Sequence, residues 1–521
     1  MKDYFKCPKT WSLFSEGKTK GVFQLESNLG RSWSKKVAPS NIEELSALIS
    51  IIRPGCGNVI VDGKPMTLMY VERKHGREPV KYLHDALEPI LKSTYGVLVY
   101  QEQSMLMSTS LAGFNLQEAD ELRKAIGKKK ADLMAKVKTK FLSGCETEKV
   151  VDMDTATEIF SWIEKSAKYQ FNKSHGISYA YDAYDSAWWK VHDTYNFFQT
   201  YLEFAPRKPK PMREVYELVS ESKVFNINTA LSKIDGYSPQ FEKVGDTIRF
   251  GVKNIQGLTG VTGDKVVEAI KKVEGDLGKA AADFTWMDIL IVLGSEIDAT
   301  SFKALSGTGF FTTVTTGVTR NRALYEYEIF RSLTVGEKKW VLANYPEKQW
   351  SNLTQCITDV APQKKNGGGA HTADRTQTLQ SEIHFIDNPP YDLQDDPTWI
   401  VDQEAKLIGC PISLARIDAA DTTGANTSCK DILNGKNGKG LSIAGSISRI
   451  ANFKVKKGKT AGQLMSFLTI EDETCSLDGV ILFPDTRKQY EYQLYEGNNL
   501  LFLGSVDKKD TSFIVDKIHE I

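Results

Sequence analysis

The first part of the chain, residues 1–205, carries apolar side chains at helical spacing. One stripe consists of Leu116, Ala119, Leu122, Ala125 and Ile126. A second stripe consists of Ile177, Ala180, Tyr184, Ala187, Trp188 and Val191. Because residues three and four positions apart share one face of a helix, both stripes predict amphipathic helices that pack on a core. We therefore expect residues 1–205 to form a mainly α-helical domain.

The pattern changes near residue 440, where apolar and polar positions begin to alternate. The alternating sets are Ile443/Gly445/Ile447, Met465/Phe467/Thr469, Val480/Leu482 and Leu500/Phe502. This alternation predicts β-strands, and the pairs Lys457-Gly458 and Glu496-Gly497 are turn signals between them. Several short strands within about eighty residues favour a small barrel, for which the oligonucleotide-binding (OB) fold is the natural candidate. We place this barrel in residues 403–521.

The middle of the chain shows two further segments. Pro206, Pro209 and Pro211 mark a joint, after which residues 206–335 contain one glycine-punctuated stretch, residues 250–263. Residues 336–402 have weak periodicity and include the glycine-rich run 364–369. Such composition predicts a linker or an irregular region. Taken together, the patterns predict a multidomain α+β protein.

Composition and charge narrow the functional classes only slightly. Hydrophobic residues make up 41% and charged residues 25% of the 521 residues, and the formal net charge is zero. A nucleic-acid partner would therefore need a local basic surface. The seven cysteines are dispersed, which favours reduced thiols over a disulfide framework or a zinc site. No apolar run reaches membrane-spanning length, so we expect a cytoplasmic protein without a membrane partner.

The most basic segment follows the first apolar stripe. Arg123 and Lys124 lie near the end of the predicted helix, and Lys128, Lys129 and Lys130 follow in the next turn. A cluster of this kind can neutralise phosphates, and an arginine fork can bind one phosphate through two hydrogen bonds. Cations at the end of a helix also complement its dipole or remain solvated. The spacing alone leaves both interpretations open.

A second polar segment, residues 169–179, precedes the second stripe. Ser174 is a suitable N-cap, which places Asn172, Lys173 and His175 at the start of a helix. The free N–H groups and the dipole of a helix start favour an anion. A capped core helix with a histidine in its first turn is the alternative, and the residue types alone do not decide between the two.

Asp152 and Asp154 have the spacing of an acidic pair that holds a metal ion. Asp154, followed by Thr155, is better interpreted as the cap of a helix, because a short acidic side chain accepts hydrogen bonds from free N–H groups. We therefore expect no metal site at this pair.

The order of the motifs along the chain is more specific than any one of them. The motifs are residues 21–27, 52–55, 73–77, 95–103, 122–130 and 171–175. In this order they resemble the finger motifs of the bacterial DNA polymerase III alpha subunits, which form family C of the replicative DNA polymerases. Residues 255–260 resemble the family's tandem helix-hairpin-helix region, which would occupy residues 206–335. Residues 445–472 resemble its OB domain.

The resemblance implies a role for each of these segments. The residues implied to line the triphosphate pocket of the incoming dNTP are Arg123, Lys124, Asn172, Lys173 and His175. The residues implied to support the pocket walls are Arg53, Tyr100 and Gln101. The residues implied to contact DNA are Lys128, Lys129, Lys130, Gly257, Gly260, Lys454, Lys456, Lys457 and Lys459. The last four would meet single-stranded template through phosphate contacts, although a solvated loop fits their positions equally well.

A polymerase reaction needs Mg²⁺ held by carboxylates, which position the attacking hydroxyl and the leaving pyrophosphate. In the family these acids lie in a palm domain that precedes the fingers. Residues 10–17 resemble the last segment before the fingers, so residues 1–20 would be the palm-to-fingers transition. The palm and the N-terminal phosphoesterase-like (PHP) domain have no counterpart in the sequence. We expect no catalytic metal ligand in this chain.

These observations predict a split polymerase. This chain would bind dNTP and primer-template DNA, while a separate palm/PHP-bearing chain supplies the aspartates that hold most of the Mg²⁺. It would then be a DNA-directed DNA polymerase active only with its partner, in the bacterial cytoplasm or as a bacteriophage protein. A non-catalytic DNA-binding accessory protein and a piece of a full-length subunit are the alternatives. A sliding-clamp contact is left open, because no clamp-binding peptide is evident.

Overall fold

The computed structural model describes residues 4–53, 60–61, 63–128, 131–167, 169–361, 372–506 and 512–521. Helices dominate the first part and strands the last, so the predicted α+β class is confirmed. The chain divides into two compact units, Met1–Phe197 and Phe198–Ile521. The domain boundaries expected at residues 205, 335 and 402 remain predictions.

The first unit is mainly helical, as its apolar stripes predict. Its α-helices are Pro8–Glu16, Asn28–Val37, Ile42–Ile51, Met66–Lys74, Glu88–Leu91, Gln101–Ala112, Leu116–Lys128, Ala131–Glu148, Met153–Ser166, Lys173–His192 and Thr194–Phe204, the last of which crosses the unit boundary. Short 3-10 turns are Tyr4–Lys6, Asp85–Leu87 and Lys92–Thr94. The strands Ile60–Val61 and Lys64–Pro65 pair in antiparallel fashion.

The first apolar stripe packs into the main core of this unit. Leu122 and Ile126 are fully buried with Phe141 and Phe160 from the two following helices. Leu116, by contrast, is 83% exposed because it is the first residue of its helix. The stripe therefore predicts the core correctly except at its first position.

Lys190 is a fully buried cation on the second stripe's helix, Lys173–His192. Its Nζ donates hydrogen bonds to the carbonyl oxygens of Lys18 at 3.0 Å and Lys20 at 2.6 Å. It also lies 5.5 Å from the centroid of the Phe197 ring. This side chain fastens the loop after the first helix to the long helix, since a buried ammonium is stable only when its protons are bound.

Replacing Lys190 with methionine should lower the free energy of unfolding by about 2 kcal/mol, because the two carbonyl oxygens lose their buried donor. The midpoint of urea denaturation measures this loss. Lys165→Met is the matched control, since Lys165 is exposed on the neighbouring helix Met153–Ser166, and it should change stability by less than about 0.5 kcal/mol. Equal effects of the two substitutions would contradict a fastening role for Lys190.

The second unit mixes helices with two sheets. Its α-helices are Pro211–Val224, Val261–Leu277, Gly294–Glu296, Ala299–Gly307, Arg320–Ser332, Val335–Lys348, Leu353–Val360, Ala373–Asp387, Pro397–Ile408, Cys429–Leu433 and Pro484–Gln489. A π-helical segment, Asp288–Leu293, runs directly into Gly294–Glu296. Short 3-10 turns are Ala205–Arg207, Ile234–Gly236, Val252–Asn254, Ala281–Asp283, Arg416–Ala419 and Glu491–Gln493.

The smaller sheet has three strands, with Thr247–Phe250 in the centre. Asn228–Leu231 pairs with it in parallel, and Glu242–Val244 pairs with it in antiparallel fashion. This sheet precedes the glycine turn for which the helix-hairpin-helix region is expected, and that expectation stays a prediction.

The prediction of an irregular region at residues 336–402 is wrong for the described part of that range. Helices Val335–Lys348, Leu353–Val360, Ala373–Asp387 and Pro397–Ile408 occupy most of it. Their starts are defined by polar caps: Thr334, Asn352, Thr372 and Asp396 each accept a backbone N–H of the first turn. Caps specify where a helix starts. The apolar stripes of these helices are short, as with Leu353, Ile357 and Val360 of the helix Leu353–Val360, which is why periodicity missed them. The glycine-rich run 364–369 lies outside the described residues.

The last part of the chain forms the predicted strands, which close into a five-stranded barrel. The strands are Gly438–Lys454, Leu464–Glu471, Ser476–Leu482, Asn499–Val506 and Phe513–Glu520. The first strand pairs in antiparallel fashion with the second and the fourth. The third strand is antiparallel to the second and parallel to the fifth, and the fourth is antiparallel to the fifth.

The barrel core contains Ile443, Leu468, Val480 and Phe502. In the second strand, the interior positions are Ser466, Leu468 and Ile470. The alternating set Met465/Phe467/Thr469 therefore lies on the other face of that strand. Successive side chains of a strand point to opposite faces of the sheet. A prediction that is shifted by one residue therefore assigns the exterior positions to the core.

Candidate functional site

The N-cap of the helix Lys173–His192 is Asn172, and not Ser174 as the sequence suggests. The Oδ1 atom of Asn172 accepts the backbone N–H of His175 at 2.9 Å, and its φ and ψ of −76° and 122° are extended. Ser174 already lies within the helical turn. The predicted residues Asn172, Lys173 and His175 nevertheless all lie at the helix start.

A carboxylate already occupies part of this helix start. Glu102 accepts the backbone N–H of Lys173 at 2.9 Å and the side-chain amide of Asn172 at 2.8 Å. Free N–H groups and the helix dipole stabilise an anion at this position. The helix start thus accommodates one negatively charged group, the carboxylate of Glu102. Residue patterns alone did not identify Glu102, although it lies inside the motif at residues 95–103.

Backbone pairing brings the predicted wall residues beside the helix start. Tyr100 forms a parallel bridge with Phe171, and the N–H of Gln101 donates to the Phe171 carbonyl at 2.9 Å. The Tyr100 hydroxyl lies 2.9 Å from Oγ of Ser46, and burial raises the pKa of Tyr100 to about 12. Tyr100 is therefore a neutral side chain, held by Ser46 next to the helix start.

Cationic and aromatic groups surround the ring of Phe171. The guanidinium of Arg53 lies 3.7 Å from the ring centroid, close enough for a strong cation–π contact. The ring of His175 lies 5.2 Å from the same ring. Lys173 extends its Nζ to within 3.3 Å of the Glu43 carboxylate and 5.8 Å of the Tyr100 ring centroid. We name the set Arg53, Tyr100, Gln101, Asn172, Lys173 and His175 the helix-start cluster.

Arg123 and Lys124 lie on the helix Leu116–Lys128, and both pair with Asp120. The distances are 2.7 Å for Arg123 and 2.9 Å for Lys124, and their side chains are 38% and 53% exposed. Hydrogen bonds from Lys124 and Arg123 hold the pKa of the Asp120 carboxyl below its ordinary value. Within the described parts of the chain, these ion pairs end at Asp120 and do not reach the helix-start cluster.

For Lys128, Lys129 and Lys130, the other basic residues of that segment, the structure gives no side-chain contacts. Lys128 is the last residue of the helix Leu116–Lys128, and its side chain is not among the described ones. Lys129 and Lys130 lie outside the described residues. Their contact with DNA stays a prediction.

The glycine turn precedes the helix Val261–Leu277. Gly257 and Gly260 have φ values of 89° and 59°, in the region that favours glycine. A Cβ at either position would meet no atom within 4 Å, so the turn faces open space. Such a turn exposes backbone N–H groups to an approaching anion, and its role in DNA binding stays a prediction.

Lys454 ends the first barrel strand, and Lys456, Lys457 and Lys459 follow in the loop to the second strand. All four are exposed, and none forms an ion pair with another described residue. Two backbone hydrogen bonds between Val455 and the far side of the loop close it, at 2.9 and 2.8 Å. The loop is therefore an ordered basic projection of the barrel.

The acidic residues that the structure describes are not gathered into a metal centre. Asp152, and not Asp154, caps the helix Met153–Ser166, where its Oδ1 accepts the N–H of Thr155 at 2.8 Å. Asp152 comes directly before the helix, whereas Asp154 is already within it. Over the described ranges, no group of three or more His, Cys, Asp or Glu side chains is arranged to hold a metal ion.

No helix within the described ranges combines the length and the apolar character needed to cross a membrane.

The chain is similar to known proteins along nearly its whole length. Residues 5–149 match the finger domain of the bacterial DNA polymerase III alpha subunit. DNA polymerase III subunit alpha of Halalkalibacterium halodurans is 30% identical over 516 residues, which are 98% of this chain and 41% of the relative. The subunit of Aquifex aeolicus is 42% identical over 279 residues, 53% of this chain and 23% of the relative. The chain thus spans less than half the length of these relatives.

Proposed function

Because the chain is related to the bacterial DNA polymerase III alpha subunit along nearly its whole length, we propose that it holds the incoming dNTP and the primer-template of a replicative DNA polymerase. The helix-start cluster is the observation that carries this proposal. Its backbone and side-chain N–H groups bind the carboxylate of Glu102, and a triphosphate presents the same charged oxygen acceptors with more charge.

In the proposed complex, a phosphate oxygen takes the place of the Glu102 carboxylate at the backbone N–H of Lys173. Lys173 would turn its Nζ from Glu43 to the triphosphate, because its side chain is 35% exposed and free to reach solvent. Arg53, His175 and the wall residues Tyr100 and Gln101 would position these groups. Arg123 and Lys124 would add charge that stabilises the departing pyrophosphate.

The proposal assigns Mg²⁺ chemistry to carboxylates outside these residues. A pair of Mg²⁺ ions would activate the primer hydroxyl and neutralise the leaving phosphates. Asp152 and Asp120 are examples of described acids that are already engaged, the first in a helix cap and the second in ion pairs. We propose that palm aspartates on a separate chain hold the metal, and that the two chains work together in the bacterial cytoplasm.

DNA binding is proposed for two parts of the second unit. The open glycine turn at Gly257 and Gly260 would hold duplex phosphates through backbone N–H groups. The barrel, in which the first strand pairs with the second and the fourth, is proposed to be an OB fold that binds single-stranded template. The basic loop of the barrel is the proposed point of contact. A DNA contact of Lys128, Lys129 and Lys130 is proposed separately, for the first unit.

Replacing Lys456, Lys457 and Lys459 together with glutamine should weaken binding to single-stranded DNA and lower the slope of log affinity against log salt by about 2, because each lost phosphate contact removes about 0.7. Fluorescence anisotropy at several salt concentrations measures both. The matched control replaces Lys439, Lys488 and Lys517, which are exposed lysines of the same barrel. If the two triple variants lose affinity and slope equally, the loop has no special role.

Cross-linking with an azido-dATP probe tests the nucleotide site. In the presence of primer-template and Mg²⁺, the probe should label peptides that contain residues 122–130 or 169–179, and unlabelled dNTP should compete. Azido-deoxyadenosine without phosphates is the control and should not label them. The alternative function, a non-catalytic DNA-binding accessory protein, predicts DNA binding without any dNTP-competed label.

A further inference from the structure

A cysteine and a histidine lie side by side at the end of the helix Lys173–His192 that is opposite to the helix-start cluster. Sγ of Cys7 lies 3.2 Å from Nε2 of His192. Cys7 immediately precedes the helix Pro8–Glu16, and His192 is the last residue of Lys173–His192. The His192 ring stacks on Trp188 with the centroids 4.5 Å apart, which fixes its orientation. Cys7 is half-buried and His192 is exposed, so a small molecule can reach the sulfur.

The hydroxyl of Thr10 is a third polar group at this site, close to Cys7. Thr10 is fully buried, and within the described parts of the chain its hydroxyl has no hydrogen-bond partner. It lies one helical turn after Cys7, where it can donate to the sulfur once the thiol ionises. Partial burial raises the pKa of Cys7, but the hydroxyl and the backbone N–H of Thr10 and the ring of His192 stabilise the thiolate once it forms, and together they lower the pKa from 9.0 to about 7.

The other described cysteines have the opposite environment. Burial raises the pKa of Cys145 to about 11 and that of Cys356 and Cys475 to about 12. Burial also raises the pKa of Cys410 and Cys429, which are fully enclosed. A thiolate is the reactive form of cysteine, so reactivity among the described cysteines concentrates at Cys7. Cys56 lies outside the described residues.

We propose that Cys7 and His192 form a modification site that takes small disulfides. The Cys7 thiolate attacks one sulfur of the disulfide, a new S–S bond forms and the original S–S bond breaks. The departing thiolate takes the bonding electrons and then the proton that His192 received from Cys7. The product is a mixed disulfide on Cys7, and an added thiol reverses it by the same exchange.

The groups that face the sulfur set the expected pH dependence. Tyr184 and His192 approach it from the long helix, and Lys6 and Lys9 flank it in sequence. At pH 7 a pKa of about 7 gives about 50 times more thiolate than a pKa of 9.0. The lower basicity of the thiolate reduces its intrinsic nucleophilicity. At pH 7 the net rate of disulfide exchange is therefore about sixfold higher than for a thiol with a pKa of 9.0.

The test treats the full chain with dithiodipyridine from pH 5 to pH 10 and follows each cysteine by peptide mass spectrometry. The Cys7 peptide should react with a half-maximal rate near pH 7, and Cys7→Ser should remove this label. In His192→Asn the midpoint should move upward and the rate at pH 7 should fall about threefold or more. A wild-type midpoint near pH 9, or an unchanged profile in His192→Asn, would overturn the proposal. The wild-type profile decides even if the variant folds poorly.

Discussion

Replacing Arg123 with alanine should lower the rate of single-nucleotide incorporation about 100-fold and leave the affinity for primer-template nearly unchanged. Asp120 holds the Arg123 guanidinium at 2.7 Å, so the fork is oriented before substrate arrives. A charge-assisted contact to phosphate contributes about 1.5–3 kcal/mol, which corresponds to a factor of about 10 to 150. Single-turnover incorporation with a palm-bearing chain measures the rate, and fluorescence anisotropy measures the DNA affinity.

Arg331→Ala is the matched control for Arg123→Ala. Arg331 also pairs with an acid three residues earlier, Glu328, and its side chain is 43% exposed, against 38% for Arg123. This control should change neither incorporation nor DNA affinity, because surface ion pairs of this kind contribute little. If both variants incorporate nucleotide at the wild-type rate, Arg123 does not contact the triphosphate.

Replacing Gly144 with alanine should lower the free energy of unfolding by about 3 kcal/mol. Gly144 lies on the helix Ala131–Glu148 where it crosses the end of Gln101–Ala112. An added Cβ would overlap the carbonyl oxygen of Ala112 and lie 2.9 Å from its carbonyl carbon. Because these are backbone atoms, the clash is relieved only by separating two helices of the main core. Urea denaturation of the whole chain measures the loss.

The control for this substitution is Gly275→Ala. Gly275 lies within the helix Val261–Leu277, and a Cβ there would meet nothing within 4 Å. Alanine should raise stability by up to about 1 kcal/mol at this site, since it favours the helix and creates no clash. Opposite signs for the two glycines are the expected result. A Gly144→Ala variant as stable as the wild type would mean that the two helices do not cross this closely.

The helices and strands that apolar patterns define were predictable from the sequence. Leu122 and Ile126 are in the core where the stripe places them, and the alternating segments do form a closed barrel. The helices between residues 335 and 408 were not predicted, because their apolar stripes are short and their starts are set by polar caps. Lys190 also escaped prediction, since only the folded chain brings two carbonyl oxygens to its ammonium.

At the candidate site, local chemistry was predictable and tertiary contacts were not. The sequence places Asn172 and Lys173 at a helix start, but it does not show which residue caps the helix, because Asn172 and Ser174 are both good caps. Glu102 reaches this start from seventy residues away, and no local pattern encodes such a contact. The sequence likewise does not show how far Arg123 lies from this cluster, because the two are on different helices.

The most direct test of the account is primer extension by this 521-residue chain with Mg²⁺, alone and with the palm-bearing chain that native mass spectrometry identifies beside it in the natural host. If the polymerase is split between two chains, only the mixture extends the primer, and extension falls strongly when the mixture contains Arg123→Ala. Extension by this chain alone would place the catalytic carboxylates within it and contradict the account, and so would a stable mixture that binds primer-template yet adds no nucleotide.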